Sequence, residues 1–361
     1  MSRSPESRYQ EILSVPDVAD GNPSTLMSLE QQALQAGIDP ISIYLRATSW
    51  PVNRFHANMT SDPNTAQSYT DESEAKRLGA TAKIYSVASF VEFTCRVALS
   101  DEFERDTDKR WNVIQEHQLL GASPAILDKI GVRAIRLATP DVYPKESAII
   151  AAQKLKEKDI TISVWNRTAQ DYLNNLGIST ELHKPYLLDG LLTEPTSFRA
   201  GGKTVVMKSS GSGLPMTWFE KLQTGLLASG VDFATHIPIS NSNRAERIRD
   251  FYSDLGGRTK LIIGYPSELV SVACDLQSRG SAVQMLTLPP RGAHEKRNLE
   301  FAMDNNIVIG ELSFDRDALT TFDGLDRIGP SDIKEVIASL PGTGTLPKNV
   351  IGTKPFWSEQ R

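Results

Sequence analysis

The sequence has few of the features that mark exported, membrane-spanning or disulfide-rich proteins. Only two of its 361 residues are cysteines, Cys95 and Cys274, which is too few for a disulfide framework and suits a reducing compartment. The opening residues, MSRSPESRYQEI, contain no apolar stretch of the kind that forms a secretory signal. No run of about 20 apolar residues occurs, so we expect no membrane-spanning segment. A cytoplasmic protein is predicted, with peripheral contact to a membrane surface left open.

The sequence also lacks a large excess of positive or negative charge. The chain carries 44 acidic and 39 basic residues, a net charge of −5 and a sequence pI near 5.7. Proteins that bind nucleic acid usually present a strongly basic face. This balance gives no reason to expect nucleic acid as a partner, and we predict none.

The sequence does contain enough apolar material for two cores. Apolar residues make up 40% of the chain, and a length of 361 residues favours two domains over one. Short β-rich runs alternate with longer helical patterns, which indicates parallel sheets covered by helices. A Gly-, Pro- and Thr-rich stretch at 187–203 is the best candidate for a linker. We therefore predict an α/β fold of two Rossmann-like, doubly wound parallel-sheet domains, residues 1–190 and 191–361.

The strand pattern is clear enough to place individual strands. In the first half we predict strands at 11–15, 41–45, 83–87, 112–115, 134–138 and 160–165. In the second half the predicted strands lie in TVVM, DFATHIPI, TKLIIGY and SAVQMLTLPP. Ligands of open parallel sheets bind where strands end and helices begin. The turns after these strands are therefore the places to search for a site.

The loop SSGSGLP at 209–215 follows the first strand of the second half. Ser210, Gly211, Ser212 and Gly213 supply hydroxyl donors and unhindered backbone amides at a helix entrance, which favours binding of phosphate oxygens. An ordinary tight turn that needs glycine is the alternative interpretation. The loop lacks the G-x-G-x-x-G spacing, so a dinucleotide-dependent dehydrogenase is not expected.

Two further helix entrances follow in the same half. In IIGYPSELV, Gly264 permits a sharp turn and Ser267 is a candidate N-cap of the next helix.

The loop LPPRGAHEKRN is crowded with polar side chains, of which the candidate ligand-binding residues are Arg291, His294, Glu295 and Asn298. Arg291 would face a diphosphate, and Glu295 would accept hydrogen bonds from ribose or sugar hydroxyls. A solvated charged loop is the alternative. HEKRN lacks the second His of a zinc HExxH motif, so no metal is predicted.

The N-terminal half offers three candidate catalytic residues at strand ends. Asp20 lies in DGNPST after the first strand, His117 follows the fourth, and Asp141 follows the fifth. At the edge of a sheet such side chains would bind an acceptor or transfer a proton. Each also has a structural interpretation, and Asp-Gly-Asn at 20–22 is a common turn.

Together these motifs resemble the GT-B glycosyltransferases. In the family's nucleotide-sugar segment, a helix, a strand ending in Pro and a loop (Asp/Glu)-Gln-x-x-Asn-Ala follow one another. The most similar stretch of this sequence is IIGYPSELVSVACDLQSRGSAVQMLTLPPRGAHEKRNLEFA. The run ISVWNRTAQDYLNNLGI looks like the strand–helix–Gly-Ile step before the family's linker. His294-Glu295 stands where the family has an Asp-Gln pair, and Leu299 stands where it has Ala.

The resemblance implies two domains facing a cleft, with a nucleotide-diphosphate sugar, most often UDP-linked, in the C-terminal one. Gly211, Ser212, Gly213 and Ser267 would lie near the diphosphate, and Glu295 near a sugar hydroxyl. No cofactor beyond this co-substrate and no bound metal is implied. The acceptor, of unknown type, would bind the N-terminal domain. A His base in the first loop, found in some inverting members of the family, is absent from this sequence, and Asp20 is the nearest acid.

Two other functions fit the same residues. A nucleotide-sugar epimerase of similar two-domain build would use SSGSG equally well. A non-catalytic, two-lobed ligand-binding protein is the other alternative, although the missing export signal disfavours its periplasmic form.

Overall fold

The computed structural model describes two compact units. The described residues are 9–16, 21–47, 83–87, 107–114, 119, 123–192, 202–208, 216–236, 244–290, 293–311, 337–338, 340 and 350–357. Contacts group the described residues up to Gly190, together with Ile351–Trp357, into a first unit. The described residues from Leu191 to Val350 form the second.

A seven-stranded parallel sheet forms the centre of the first unit. Its strands are β1 (Gln10–Pro16), β2 (Ile41–Ala47), β3 (Lys83–Val87), β4 (Lys109–Ile114), β5 (Val132–Ala138), β6 (Asp159–Val164) and β7 (Thr180–Leu182). The order β3-β2-β1-β4-β5-β6-β7 is the doubly wound order with one strand added. From β1 the chain adds β2 and β3 on one side, and from β4 it adds β5, β6 and β7 on the other side. The topological switch point therefore lies between β1 and β4.

Most residues of β1, β4, β5 and β6 are buried, because helices cover a parallel sheet on its faces. Every residue of β5 except Arg133 is buried. The helices are α1 (Gly21–Gln35), α2 (Pro124–Lys129), α3 (Glu146–Lys154), α4 (Arg167–Asn175) and α5 (Leu187–Leu191). Asn166 Oδ1 caps α4 by accepting a hydrogen bond from Ala169 N at 2.8 Å. The helix ends at Gly177, whose φ of +72° suits glycine, as its sequence predicted.

The second unit contains a five-stranded parallel sheet. Its strands are β8 (Val205–Lys208), β9 (Phe233–His236), β10 (Leu261–Gly264), β11 (Gln284–Thr287) and β12 (Val308–Glu311), and its helices are α6 (Met216–Ala228), α7 (Arg244–Asp254), α8 (Glu268–Ser278) and α9 (Ala293–Asp304). The order β12-β11-β10-β8-β9 is the flavodoxin-like doubly wound order. Its switch point lies between β8 and β10.

The predicted fold class, two Rossmann-like doubly wound α/β units, is confirmed. Each predicted strand has a counterpart, but β7 and β12 were not predicted. β7 is only three residues long and half-buried, and β12 is four residues with a mixed burial pattern, so neither has a periodicity that sequence reading can detect. That the two domains face a cleft stays a prediction. Within the described ranges, no helix is long and apolar enough to cross a membrane.

The chain tail, Ile351–Trp357, packs in the first unit. Gly352 N donates to Trp165 O at 2.8 Å, and Trp357 Nε1 donates to Leu29 O at 2.7 Å. Sequence reading had placed these residues in the domain 191–361. Their contacts group them with the first unit instead.

Candidate functional site

The switch point of the second unit brings the carboxyl ends of β8 and β10 side by side. A Cβ added at Gly264, the last residue of β10, would lie 3.0 Å from Lys208 O and 2.3 Å from Leu269 Cδ1. Gly264 O also accepts a hydrogen bond from Leu288 N at 2.9 Å, just after β11. The missing side chain therefore lets the start of α8 lie against the ends of neighbouring strands, where doubly wound sheets bind ligands.

Ser267 occupies the N-cap position of α8, as predicted, but its side chain makes no capping hydrogen bond. Its hydroxyl donates instead to Glu268 Oε2 at 2.6 Å. The usual role of an N-cap serine is to accept from a first-turn amide. Here the hydroxyl of Ser267 is turned toward a carboxylate at the helix entrance.

Glu268 also forms an ion pair with Lys208, the last residue of β8. Lys208 Nζ lies 3.1 Å from Glu268 Oε1, and the two side chains are 7% and 16% exposed. The ammonium also lies 4.4 Å from the centre of the Phe251 ring. Burial raises the pKa of the Glu268 carboxyl, but the charge of Lys208 and hydrogen bonds from Ser267 and Lys208 outweigh it and hold the pKa below its usual value. The surroundings of Glu268 therefore favour its carboxylate form.

Sequence reading missed both members of this pair. A lysine that ends the apolar strand VVMK was a usable signal, because a cation at a strand end lies where ligands bind. The glutamate looked like an ordinary first-turn acid of a helix. Their pairing depends on β8 lying beside β10, which the sequence does not specify.

The third predicted loop leads into α9, whose first turns carry three predicted residues. Asn298 is fully buried and Glu295 is 4% exposed, whereas His294 is half-buried. Asn298 Nδ2 donates to Pro266 O at 3.0 Å. This bond ties α9 to the loop before α8, so two of the three predicted C-terminal loops meet at the switch point.

Several predicted site residues lie outside the described residues, and their roles stay predictions. In the second half these are Ser210, Gly211, Ser212, Gly213 and Arg291, and in the first half Asp20 and His117. Across the described parts of the chain, no three His, Cys, Asp or Glu side chains come together as a metal site.

Asp141 is the one predicted catalytic residue among the described residues. It lies in the loop after β5, is 8% exposed, and its carbonyl accepts from Trp165 Nε1 at 3.0 Å. Its amide donates to Thr139 Oγ1 at 3.3 Å. The loop is thus fixed at the carboxyl end of the sheet, where its sequence position predicted it; its part in catalysis stays a prediction.

Comparisons with known proteins identify no sequence family. No family model matches the chain, and no curated protein matches it. Among solved structures, UGT2 of Phytolacca americana, complexed with UDP-2fluoro-glucose and pterostilbene, is 10% identical, with 92% of this chain and 94% of that chain covered and a TM-score of 0.47. The calicheamicin glycosyltransferase CalG4 is 11% identical, with 92% and 90% covered and a TM-score of 0.40. Similarity at this level assigns no role to any residue of this chain.

Proposed function

We propose that this protein is a glycosyltransferase that moves a sugar from a nucleotide-diphosphate sugar, with UDP as the nucleotide, to an acceptor. The observation that carries the proposal is the switch point of the second unit. There the entrance of an 11-residue helix, α8, and the ammonium of Lys208 lie at the ends of adjacent strands. Helix entrances and basic side chains are the features that bind phosphate groups.

The chemistry needs no further cofactor. Departure of a nucleoside diphosphate leaves negative charge on the phosphate oxygens, and fixed donors aimed at that charge lower the barrier. The helix entrance of α8 and Lys208 would supply such donors without a metal. The loop residues Gly211 and Ser212, which precede α6 in sequence, would add backbone and hydroxyl donors.

The sugar and the acceptor would use the remaining predicted residues. The Glu295 carboxylate would accept hydrogen bonds from sugar hydroxyls, with His294 and Arg291 nearby in sequence. In the first unit, Asp20, His117 and Asp141 are the candidates to bind the acceptor and remove its proton.

A thermal-shift screen tests the nucleotide specificity directly. UDP, GDP, ADP and UMP would each be added to the whole protein, because a ligand that binds only the folded state raises its melting temperature. We expect UDP to raise it more than UMP at equal concentration. If no nucleoside diphosphate raises the melting temperature, the proposed function is wrong.

Turnover separates the transferase from its alternatives. A transferase releases UDP from a UDP-sugar when an acceptor is present. An epimerase would convert the UDP-sugar to its epimer with no acceptor, and a two-lobed binding protein would bind without turnover. Chromatography of the nucleotides after incubation with and without an acceptor library distinguishes the three outcomes.

A further inference from the structure

The carboxylate of Glu268 is bound in the way an anion would be bound at a helix entrance. It accepts a hydrogen bond from Lys208 Nζ at 3.1 Å and one from Ser267 Oγ at 2.6 Å. It also interacts with the backbone amide of its own residue. An ammonium, a hydroxyl and a helix-entrance amide are the donors that phosphate sites combine.

Among the residues that the structure describes, Lys208 has few other partners for its charge. Of the described residues, only Glu268 and the ring of Phe251 contact the ammonium, the ring at 4.4 Å. A lysine ammonium has three N–H donors, and a side chain that is 7% exposed loses most of its hydration. The cation therefore gains more from a multiply charged oxyanion than from a single carboxylate.

We propose that Glu268 is an internal competitor for the diphosphate subsite, occupying with its own carboxylate the donors that a diphosphate would take. The inference rests on the proposed function, since it assumes that the nucleotide binds at the α8 entrance. A bound diphosphate would displace the Glu268 carboxylate from Lys208 and Ser267. The negative charge of Glu268 would then set the nucleotide affinity below the value that these donors alone would give.

Binding measurements on charge variants test this competition. Dissociation constants for UDP, inorganic pyrophosphate and uridine would be measured by calorimetry on wild type, Glu268→Gln and Lys208→Met. Glu268→Gln removes the competing charge while keeping the side-chain size, so UDP and pyrophosphate should bind about tenfold more tightly. Lys208→Met should weaken both by about tenfold or more. Uridine has no phosphate, and its affinity should stay within about twofold in both variants.

A matched control removes a different carboxylate from the same helix. Asp275 is 5% exposed and pairs with Arg279 at 2.8 Å, two turns or about 10 Å along α8 from Glu268. Asp275→Asn should leave UDP affinity unchanged. A Lys208–Glu268 ion pair that only stabilised the fold would change the melting temperature in Glu268→Gln and Lys208→Met without raising UDP affinity in Glu268→Gln.

A double variant keeps the test decisive if Glu268→Gln alone does not fold. Lys208→Met/Glu268→Gln buries neither charge. Without the competing carboxylate it should bind UDP more tightly than Lys208→Met, in which Glu268 keeps its charge at the subsite. Glu268→Gln that binds UDP no more tightly than wild type, or a double variant that binds UDP no more tightly than Lys208→Met, overturns this inference and leaves the proposed function intact. A wild-type protein that binds neither UDP nor pyrophosphate overturns both.

Discussion

Glu295 lies in the first turn of α9, and its side chain is 4% exposed. The resemblance to GT-B glycosyltransferases implies a place for this residue near a sugar hydroxyl. Under the proposed function, Glu295 would therefore contact the sugar of the bound nucleotide sugar rather than its diphosphate.

We predict that Glu295→Gln separates sugar from nucleotide binding. The amide retains the size but loses the charge, so a UDP-sugar should bind about tenfold more weakly while UDP affinity stays near wild type. Calorimetry with both ligands measures the difference. Glu300→Gln, at an exposed position of the same helix, is the control and should change neither constant. Equal losses for UDP and the UDP-sugar would contradict a role at the sugar.

Gly264 makes a steric prediction at the switch point. A Cβ there would lie 3.0 Å from the backbone oxygen of Lys208 and 2.3 Å from Leu269 Cδ1, so Gly264→Ala forces the buried Leu269 side chain and the end of β8 to shift. We expect the free energy of unfolding to fall by about 2 kcal/mol in urea titrations. Gly310→Ala is the matched control in the same sheet, because its nearest atom is Leu286 Cδ2 at 3.5 Å. A control that loses as much stability as Gly264→Ala would refute the steric explanation.

His183 gives the first unit a pH-dependent stability. Burial, aided by the charge of Arg136, lowers the pKa of His183 to about 4, although a hydrogen bond to the Lys184 carbonyl partly opposes this. The imidazole is thus neutral in the folded chain and protonated in the unfolded chain between about pH 6.5 and 4. The neutral His183 therefore makes its full contribution to the free energy of unfolding above pH 6.5, and this contribution is lost as the pH falls toward 4.

We predict that wild type loses stability more steeply on acidification than His183→Asn. One extra proton taken up on unfolding corresponds to a difference on the order of 3 kcal/mol between about pH 6.5 and 4. Urea titrations of both proteins at pH 7, 5.5 and 4 give the two slopes. Asn retains a donor for the Lys184 carbonyl, which bonds the imidazole Nδ1 at 2.7 Å. Parallel pH profiles would show that another group carries the acid sensitivity.

At the scale of elements, the tail Ile351–Trp357 behaves as part of the first core. The Phe356 ring lies 5.2 Å from the ring centre of His183 and 5.5 Å from that of Tyr186. The Arg136 guanidinium lies 4.5 Å from the centre of the Phe356 ring and donates to Phe356 O at 3.1 Å. The segment therefore packs directly against the buried Arg136.

We predict that Phe356→Ala destabilises the first unit by about 3 kcal/mol, the usual cost of deleting a buried aromatic ring. Phe356 is 1% exposed. Lys354→Ala is the control, because the exposed residue 354 contributes its backbone oxygen to Lys184 N and an exposed side chain rarely matters by more than about 0.5 kcal/mol. Denaturant unfolding of both variants measures the difference. Similar midpoints for Phe356→Ala and Lys354→Ala would mean that packing of the tail contributes little to the stability of the first unit.

Sequence patterns predicted elements with strong local signals and missed those defined by their neighbours. The helix of α4 ends at Gly177 as predicted, because a glycine with a φ of +72° is itself the local signal. Ser267 was correctly placed at an N-cap, yet its hydroxyl contacts Glu268. Glu268 also pairs with Lys208, which lies 60 positions earlier in the sequence. Short strands and long-range ion pairs are tertiary features, and local patterns do not encode them.

At the scale of the whole molecule, alternation of strands and helices predicted two doubly wound units but not their different strand orders. The first order has its switch point between β1 and β4, and the second between β8 and β10. Both units therefore have a strand-end position suited to a ligand. The β8–β10 position has the buried cation Lys208 beside a helix entrance, and on this observation our proposal assigns the nucleotide to the second unit.

Hydrogen exchange tests that assignment across both units. A bound ligand slows local opening where it contacts the protein, so UDP should raise protection of amides in β10 and the start of α8. Amides of β5 and β6 serve as an internal reference, and their exchange should change little. Uridine should give weaker protection at the start of α8, because it lacks the diphosphate that the helix entrance would bind. If UDP protects only the strand ends of the first unit, the nucleotide binds at the β1–β4 switch point. The second unit would then be the one that binds the acceptor.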